Sequence, residues 1–259
     1  MISYCLACLR PRYDRALIAE LIRKTSVPYE ILVWVNLEDP GFVQFLDRVV
    51  AAGHPLRIVG TTPGNIGMAA FMHLFEASRF EMVAQMDDDV ICVSPRIAET
   101  AAEVFARFPN VGMLVADVWQ DEYTSGARPP MNCYRPVSAE YGLYDGPIDG
   151  WFAIYRRSCL QVCRQFRPQR YMYLGGQIKA ALSHAGMQGL LCTRMKVFHV
   201  VGPQYVSYFD MLDFEIDKYR NVGRTDMVKW YSDARSRLPT REEMERRVKG
   251  IESSLSRVP

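Results

Sequence analysis

Three consecutive aspartates, Asp87, Asp88 and Asp89, directly follow the apolar run FEMVAQM at residues 80–86. On an extended backbone the side chains of Asp87 and Asp89 project to the same side, while Asp88 points away. Two carboxylates placed together repel each other, and a hard divalent cation, which prefers oxygen ligands, removes that conflict. The spacing therefore predicts a metal site at Asp87 and Asp89. The alternative is an acidic turn whose side chains are solvated.

His199 is the second candidate ligand, and it lies in the apolar run VFHVV at residues 197–201. An imidazole beside carboxylates suits Mn²⁺ or another transition ion, whereas Mg²⁺ usually keeps oxygen ligands only. His199 can join the aspartates only if its strand ends near them. A hydrogen-bonded structural histidine is the alternative.

The elements that must position these residues alternate along the first two thirds of the chain, where short apolar runs are followed by amphipathic patterns. Strands are predicted at 2–9, 29–35, 55–60, 80–86 and 111–119, and helices at 12–25, 41–53, 66–79 and 95–108, the last with Ser94 as its N-cap. This order predicts the α/β class, with a mainly parallel twisted sheet and helices on both faces. Ligands of such sheets bind beyond the carboxyl ends of the strands, which is where the acidic triplet stands.

The pattern changes after residue 119, because residues 120–148 are rich in Gly, Pro, Tyr and Asp and predict a long loop. Further strands are predicted at 151–156 and 195–201, and helices at 158–166 and 176–185. From about residue 204 the chain is polar and helical, with a capping box from Thr240 to Glu243. We therefore expect a ligand-binding domain at 1–203 and a helical C-terminal extension at 204–259, packed on or near the site.

Composition and charge exclude several classes of protein. The 259 residues are 49% hydrophobic and 23% charged, which excludes a disordered, collagenous or coiled-coil chain. The 31 basic and 29 acidic side chains give a net charge of +2, too small for a dedicated polyanion binder. No apolar run approaches the roughly 18 to 20 residues that cross a bilayer, and no signal-peptide pattern opens the chain, so a cytoplasmic protein without a membrane span is expected.

The number and placement of the cysteines also favour a cytoplasmic protein. Seven cysteines, an odd number scattered through apolar segments, predict reduced thiols rather than disulfides. Cys5 and Cys8 have the spacing of a redox or zinc motif but lie within a predicted strand, where side chains three apart face opposite ways. Core positions are therefore expected for both.

The order of these motifs resembles the A-type glycosyltransferase fold, and it looks most like the family 2 glycosyltransferases and the related polypeptide N-acetylgalactosaminyltransferases. The likeness covers about residues 2–202 and leaves the tail outside it. It rests on a strand ending in Asn36, a helix opened by Asn65-Ile66-Gly67, the acidic triplet, Asp149-Gly150-Trp151-Phe152, a helix begun by Gly175-Gly176 and the strand with His199.

In those families a carboxylate-x-carboxylate motif holds Mn²⁺ or Mg²⁺ on the diphosphate of a nucleotide-sugar donor. The resemblance implies Asp87, Asp89 and His199 as the metal ligands. The donor contacts that it implies are Ala7, Leu9, Arg10, Asn36, Asn65, Asp87 and Asp88. Family 2 enzymes usually have an aspartate where Asn36 stands, which leaves the base of the nucleotide open.

The resemblance offers two stereochemical outcomes. Inverting family 2 enzymes carry a Glu-Asp pair at the start of the late helix, whereas this chain has the segment Gly-Gly-Gln ending at Gln177. That segment is similar to the Gly-Gly-Glu of the retaining N-acetylgalactosaminyltransferases, which favours retention. A retaining front-face reaction needs no enzymic base, because the departing phosphate can take the acceptor proton. Asp149 is the candidate base if the reaction inverts.

Gly150, Trp151 and Phe152 are candidate acceptor contacts. The two rings follow the glycine and alternate across a predicted strand, so one ring can form a floor for a sugar or base while the other packs inward. Burial of both rings in the core is the alternative.

The function that these features predict is a metal-dependent glycosyltransferase of the hexosyltransferase type, which moves a sugar from a nucleoside-diphosphate-sugar to a hydroxyl group. The acceptor can be a saccharide, a lipid, a protein or a modified nucleobase in DNA. One alternative is a nucleotidyltransferase, but the segment CLACLRPRYDR has no glycine for a phosphate loop. The other is a non-catalytic nucleotide-binding module, either a degenerate transferase or a receiver-like domain.

Overall fold

A computed structural model describes residues 1–37, 39–124, 127–166 and 174–258. Residues 125–126 of the predicted long loop and residue 259 of the predicted extension therefore lie outside the described residues. The strands are β1 (Ile2–Cys8), β2 (Tyr29–Asn36), β3 (Leu56–Thr62), β4 (Met82–Met86), β5 (Val90–Val93), β6 (Val111–Val118), β7 (Arg135–Ser138), β8 (Leu143–Asp145), β9 (Phe152–Arg156) and β10 (Gln188–His199).

The α-helices are α1 (Pro11–Lys24), α2 (Pro40–Ala51), α3 (Ala69–Ala77), α4 (Ile97–Arg107), α5 (Leu174–His184), α6 (Pro203–Tyr208), α7 (Leu212–Asn221), α8 (Thr225–Ala234) and α9 (Arg241–Leu255). The helix expected at 158–166 is a 3₁₀ helix, Arg157–Gln165.

The strands form one sheet in the order β3-β2-β1-β4-β9-β6-β10-β8-β7, with β5 paired to β10. The predicted α/β class is confirmed. The half from β3 to β4 is parallel, as expected, but β9 runs antiparallel between β4 and β6, so the whole sheet is mixed. The reason is the connection from β6 to β9. Its described residues form no crossover helix that would carry the chain back to the other end of the sheet, so β9 starts at the edge where β6 ends.

Strand β5 is an element that the sequence pattern did not reveal. It follows the acidic triplet at once and pairs antiparallel with β10. Ser94 continues this pairing instead of capping α4: its backbone N–H donates to the carbonyl of Lys196 at 2.7 Å, and its Oγ accepts from the N–H of Lys196 at 3.0 Å. Helix α4 begins instead behind Arg96, which has a positive φ of 58°.

The C-terminal helices share a second hydrophobic cluster with β5, β10 and α1. Its buried members include Tyr13, Ile91, Phe198, Val200, Tyr205, Val206, Ile216, Met244 and Ile251. Thr240 caps α9 as expected, because its Oγ1 accepts from the N–H of Glu243 at 3.2 Å, while the Glu243 carboxylate contacts Arg247. These helices therefore pack against the strands that flank the acidic triplet.

All seven cysteines fall within the described residues and are free thiols. Cys5 and Cys8 are both buried, as the strand pattern predicted. Over the described ranges, no helix is both long enough and apolar enough to cross a membrane.

The start of α5 lies directly against the turn that precedes β9. A Cβ atom at Gly175 would lie 2.3 Å from the backbone nitrogen of Gly150 and 2.6 Å from the carbonyl carbon of Asp149. Backbone cannot yield as a flexible side chain does, so only glycine fits at this contact.

We therefore predict that Gly175→Ala lowers the free energy of unfolding by about 1–3 kcal/mol, the usual cost of overpacking. Gly250→Ala in α9 is the control, because no heavy atom lies within 4 Å of its new Cβ. That variant should gain up to about 1 kcal/mol from higher helix propensity. Urea denaturation measures both values, and an unchanged or higher stability for Gly175→Ala would contradict the contact.

Candidate metal and nucleotide site

The acidic triplet forms the tight turn between β4 and β5. The backbone N–H of Val90 donates to the carbonyl of Asp87 at 3.2 Å. Strand β5 then pairs with β10 so that Val90 lies opposite His199. As a result, Asp87, Asp89 and His199 offer ligand atoms that all lie within 4.8 Å of one another. The structure thus brings together the three residues for which a metal site was expected.

The charges of this cluster are unbalanced. Burial and the nearby Asp89 carboxylate raise the pKa of Asp87 to about 8, although His199 opposes the shift. Burial also acts to raise the pKa of Asp89, but His199 and Arg10 outweigh it and hold that pKa below its usual range. For His199 burial lowers the pKa, and Asp89 more than reverses this effect. At neutral pH and without a bound cation, Asp87 therefore carries a proton, which a cation would displace.

The donor set fits a divalent cation. Two carboxylates and one imidazole suit Mn²⁺ better than Mg²⁺, which usually keeps oxygen ligands. The Nε2 atom of His199 lies 2.8 Å from the Oδ1 atom of Asp89, while its buried Nδ1 atom has no hydrogen-bond partner. The cluster is only partly exposed to solvent, since the Asp89 and His199 side chains are 19% and 14% exposed.

Arg10 lies at the N-terminus of α1, directly after β1, and pairs with the triplet. Its Nη1 atom lies 2.5 Å from the Oδ1 atom of Asp88 and 3.4 Å from the Oδ2 atom of Asp89. On its other side, Nε and Nη2 lie 2.9 and 2.6 Å from the Oε1 atom of Glu215. The side chain is 3% exposed. Arg10 thus joins the triplet to helix α7.

A cleft of about 620 Å³ opens beside the triplet. It is lined by Ala7, Leu9, Arg10, Asn36, Asn65, Gly67, Met68, Phe71, Asp87, Asp88, Asp89 and Lys218. All seven residues predicted to contact the donor are among them.

Two asparagines that line the cleft hold the loop before α3 in place through hydrogen bonds. The Oδ1 atom of Asn36 accepts from the backbone N–H of Ile66 at 3.0 Å, and the Oδ1 atom of Asn65 accepts from the N–H of Gly67 at 2.7 Å. Gly67 has a positive φ of 59°, a conformation that glycine adopts without strain. The two side chains therefore fix the loop between β3 and α3, and Asn36 keeps its amide N–H groups as donors.

Asp149 and Gln177 are not among the cleft-lining residues. The Oδ1 atom of Asp149 accepts from the N–H of Gly150 at 2.7 Å and from the N–H of Gly176 at 3.1 Å. Asp149 thus satisfies an amide in the first turn of α5, and burial raises its pKa against these bonds. Gln177 is exposed in the same turn.

The predicted acceptor contacts of Gly150, Trp151 and Phe152 are not what the structure shows. Phe152 is fully buried, and Trp151 is 7% exposed with its Nε1–H donated to the carbonyl of Ala116 at 2.8 Å. Gly150 is buried against the side chain of Gln85. The physical reason is the place of β9 inside the sheet, where both faces are covered. Both rings therefore belong to the core.

Solved structures resemble this arrangement of elements. Staphylococcus aureus TarS, residues 1–349 in complex with UDP-GlcNAc, matches 83% of this chain at 12% identity with a TM-score of 0.57. The mannosyltransferase PcManGT from Pyrobaculum calidifontis, in complex with GDP-Man and Mn²⁺, matches 99% at 12% identity with a TM-score of 0.59. GalNAc-T7 with UDP, GalNAc and Mn²⁺ matches 100% at 10% identity with a TM-score of 0.62.

The chain has the A-type glycosyltransferase fold. It spans 64% of the TarS chain, 80% of the PcManGT chain and 58% of the GalNAc-T7 chain. No protein-family model matches it. No curated protein matches it by sequence either.

Within this A-type fold, the residues that sequence reasoning missed come mainly from α3 and α7. Met68 and Phe71 line the cleft beside Gly67, and Lys218 lines it from α7. Glu215 pairs with Arg10 across 205 positions of sequence. A helical pattern in the 66–79 region was the available signal for Met68 and Phe71. No local pattern in the polar tail distinguishes Glu215 or Lys218 from surface residues.

We predict that the affinity for Mn²⁺ rises with pH, because the cation must displace the proton held by Asp87. With a pKa of about 8 for Asp87, competition with that proton alone gives a gain of about 50-fold between pH 6 and pH 8. His199, whose pKa is also raised, must lose its proton to bind the cation, which adds to this gain. Titration of free Mn²⁺ by electron paramagnetic resonance measures this gain. Asp87→Asn should bind weakly with a flatter pH profile, whereas Asp213→Asn, at an exposed position of α7, should behave as wild type. Equal affinity at both pH values would contradict the assignment.

We also predict that Glu215→Ala lowers the free energy of unfolding by about 3 kcal/mol, because it leaves a buried guanidinium without one of its partners. Asp213→Ala tests the same helix at a position where the side chain is 85% exposed and pairs with Arg235. Its loss should be below about 1 kcal/mol, as for other surface ion pairs. Urea denaturation monitored by circular dichroism compares the two. Equal losses would show that the Arg10 pairing contributes no more than a surface contact.

Proposed function

We propose that this protein is a metal-dependent glycosyltransferase that moves a sugar from a nucleoside-diphosphate-sugar donor to a hydroxyl group of an acceptor. The observation that carries the proposal is the cluster of Asp87, Asp89 and His199, whose two aspartates line a cleft. The similar structures of TarS, PcManGT and GalNAc-T7 contain UDP-GlcNAc, GDP-Man, or UDP with GalNAc, two of them with Mn²⁺. These likenesses support the same class of donor here.

The chemistry follows from charge. When bound by Asp87, Asp89 and His199, Mn²⁺ or Mg²⁺ supplies positive charge to the diphosphate, which becomes more negative as the sugar leaves. Asn36 and Asn65 shape the wall for the nucleoside. Ala7 and Leu9, at the end of β1, line the cleft beside the triplet.

We favour retention of configuration at the sugar carbon. An inverting enzyme needs a base to deprotonate the acceptor, whereas in a front-face retaining reaction the departing phosphate takes that proton. Asp149 is the base of the alternative, inverting reaction, but its Oδ1 atom already accepts two backbone hydrogen bonds. Gln177, where the retaining N-acetylgalactosaminyltransferases have a glutamate, lies in the first turn of α5.

The free thiols of all seven cysteines support our further proposal of a cytoplasmic location.

We predict that one nucleotide sugar raises the melting temperature in the presence of Mn²⁺ and that EDTA abolishes this shift. At a ligand concentration of about 100 times the Kd, the shift should be roughly 5–10 °C. The panel should include UDP-GlcNAc, UDP-GalNAc, UDP-glucose and GDP-mannose, with nucleoside triphosphates beside them. Slow, Mn²⁺-dependent hydrolysis of the same donor should accompany binding, and the anomeric configuration of the released sugar tests retention.

Asp89→Asn should lose both the shift and the hydrolysis, while the exposed-site variant Asp213→Asn keeps them. A response to nucleoside triphosphates and to no nucleotide sugar would favour the nucleotidyltransferase alternative. Donor binding without hydrolysis in any condition would favour the non-catalytic module.

A further inference from the structure

Helix α7 reaches the cleft from the C-terminal part of the chain, which lies outside the sequence resemblance. Lys218 is among the residues that line the cleft, and its side chain is 16% exposed. Glu215, one turn earlier on the same helix, is 5% exposed and contacts both Arg10 and Lys218. Residues three apart lie on one face of a helix, so this face of α7 is directed at the acidic triplet.

Four side chains form a sequence of alternating charges from the triplet to the cleft wall. Asp88 pairs with Arg10 at 2.5 Å, and Arg10 pairs with Glu215 at 2.6 Å. Glu215 then pairs with Lys218 through its second oxygen, Oε2. Lys218 is thus the last member of the series, and it is the member on the wall of the cleft.

The two basic side chains among the described cleft-lining residues differ in their commitments. Arg10 is 3% exposed and directs its Nε, Nη1 and Nη2 atoms to carboxylates. Lys218 has an ammonium group with three N–H donors, and its contacts are one oxygen of Glu215 and the face of the Tyr219 ring at 4.5 Å. The ammonium is therefore the more exposed of the two groups and has N–H donors beyond its contact with Glu215. The guanidinium is withdrawn from solvent, and its charge is shared among Asp88, Asp89 and Glu215.

We propose that Lys218 binds the diphosphate of the donor and that Glu215 is the positioning residue that holds the ammonium at the cleft. This inference rests on the proposed function above. During transfer, the bond between the sugar carbon and the diphosphate oxygen breaks, and its electron pair stays on that oxygen. The acceptor oxygen forms the new bond to the same carbon, and its proton passes to the diphosphate. A hydrogen bond from Lys218 strengthens as that negative charge develops.

Lys229 in α8 provides a matched comparison. It also pairs with a carboxylate on its own helix, Asp233 at 2.6 Å, but its side chain is 76% exposed. It is absent from the residues that line the cleft. The two lysines therefore have the same kind of intrahelical ion pair and differ in access to the ligand.

The test compares Lys218→Gln with Lys229→Gln by isothermal titration calorimetry, using UDP, GDP and the corresponding nucleosides with Mn²⁺ and with EDTA. Lys218→Gln should weaken binding of the preferred nucleoside diphosphate by about 10-fold or more, the usual effect of losing a hydrogen bond to a charged group. Affinity for the nucleoside alone should change by less than about 2-fold, because no phosphate is present. Lys229→Gln should match wild type, and Lys218→Arg should recover part of the loss.

Four results would overturn the assignment. Wild-type affinity of Lys218→Gln for the diphosphate, together with loss of binding in Asp89→Asn, would remove Lys218 from the site and leave the proposed function in place. Equal weakening of nucleoside and nucleoside diphosphate would show that Lys218 only maintains the fold. If Lys218→Gln does not fold, the shape-matched Lys218→Met takes its place, and wild-type affinity there has the same meaning. Failure of the wild-type protein to bind any nucleoside diphosphate would remove both this inference and the proposed function.

Discussion

The constraint on which the rest of the structure depends is the repulsion among three adjacent carboxylates at the end of β4. Charges of one sign that are largely withdrawn from water cannot all persist without partners. Three features of the structure offset this repulsion. Arg10 stands at the start of α1, His199 ends β10, and Asp87 keeps a proton at neutral pH because its pKa is raised to about 8. A divalent cation would replace that proton, so the geometry that makes the triplet costly without a ligand is also the geometry that suits a cation.

Sequence periodicity predicted the parallel half of the sheet well, because each of its strands is an apolar run separated from the next by an amphipathic helix. Strand β5 could not be found in this way, since it has four residues and follows the triplet without a turn signal. The direction of β9 was also hidden. It depends on how the connection after β6 returns to the sheet, and that path is set by tertiary contacts rather than by local pattern. The error about Trp151 and Phe152 follows from this, because only the central place of β9 buries both rings.

Residue types predicted which side chains lie together at the cleft better than they predicted the partner of each side chain. The cleft contains every residue for which donor contact was expected, and the carboxylate spacing correctly placed Asp87 beside Asp89. Arg10 differs, because a basic side chain among the expected donor contacts suggests an anionic ligand. The structure instead directs its guanidinium to Asp88 and Glu215. Its second partner lies 205 positions later in the chain, and no local pattern carries information over that distance.

The use of Arg10 as an internal counter-ion has a consequence for the whole site. If Arg10 balances the triplet, it is not free to balance a diphosphate, and a second cation must come from another element. The parallel half of the sheet supplies none among the described residues that line the cleft, and α7 supplies Lys218. Glu215 links the two roles, since the same carboxylate holds the arginine against the triplet and the lysine at the cleft. The C-terminal helices therefore complete the electrostatics of a candidate site whose other lining residues come from the sheet, its connecting loops and α3.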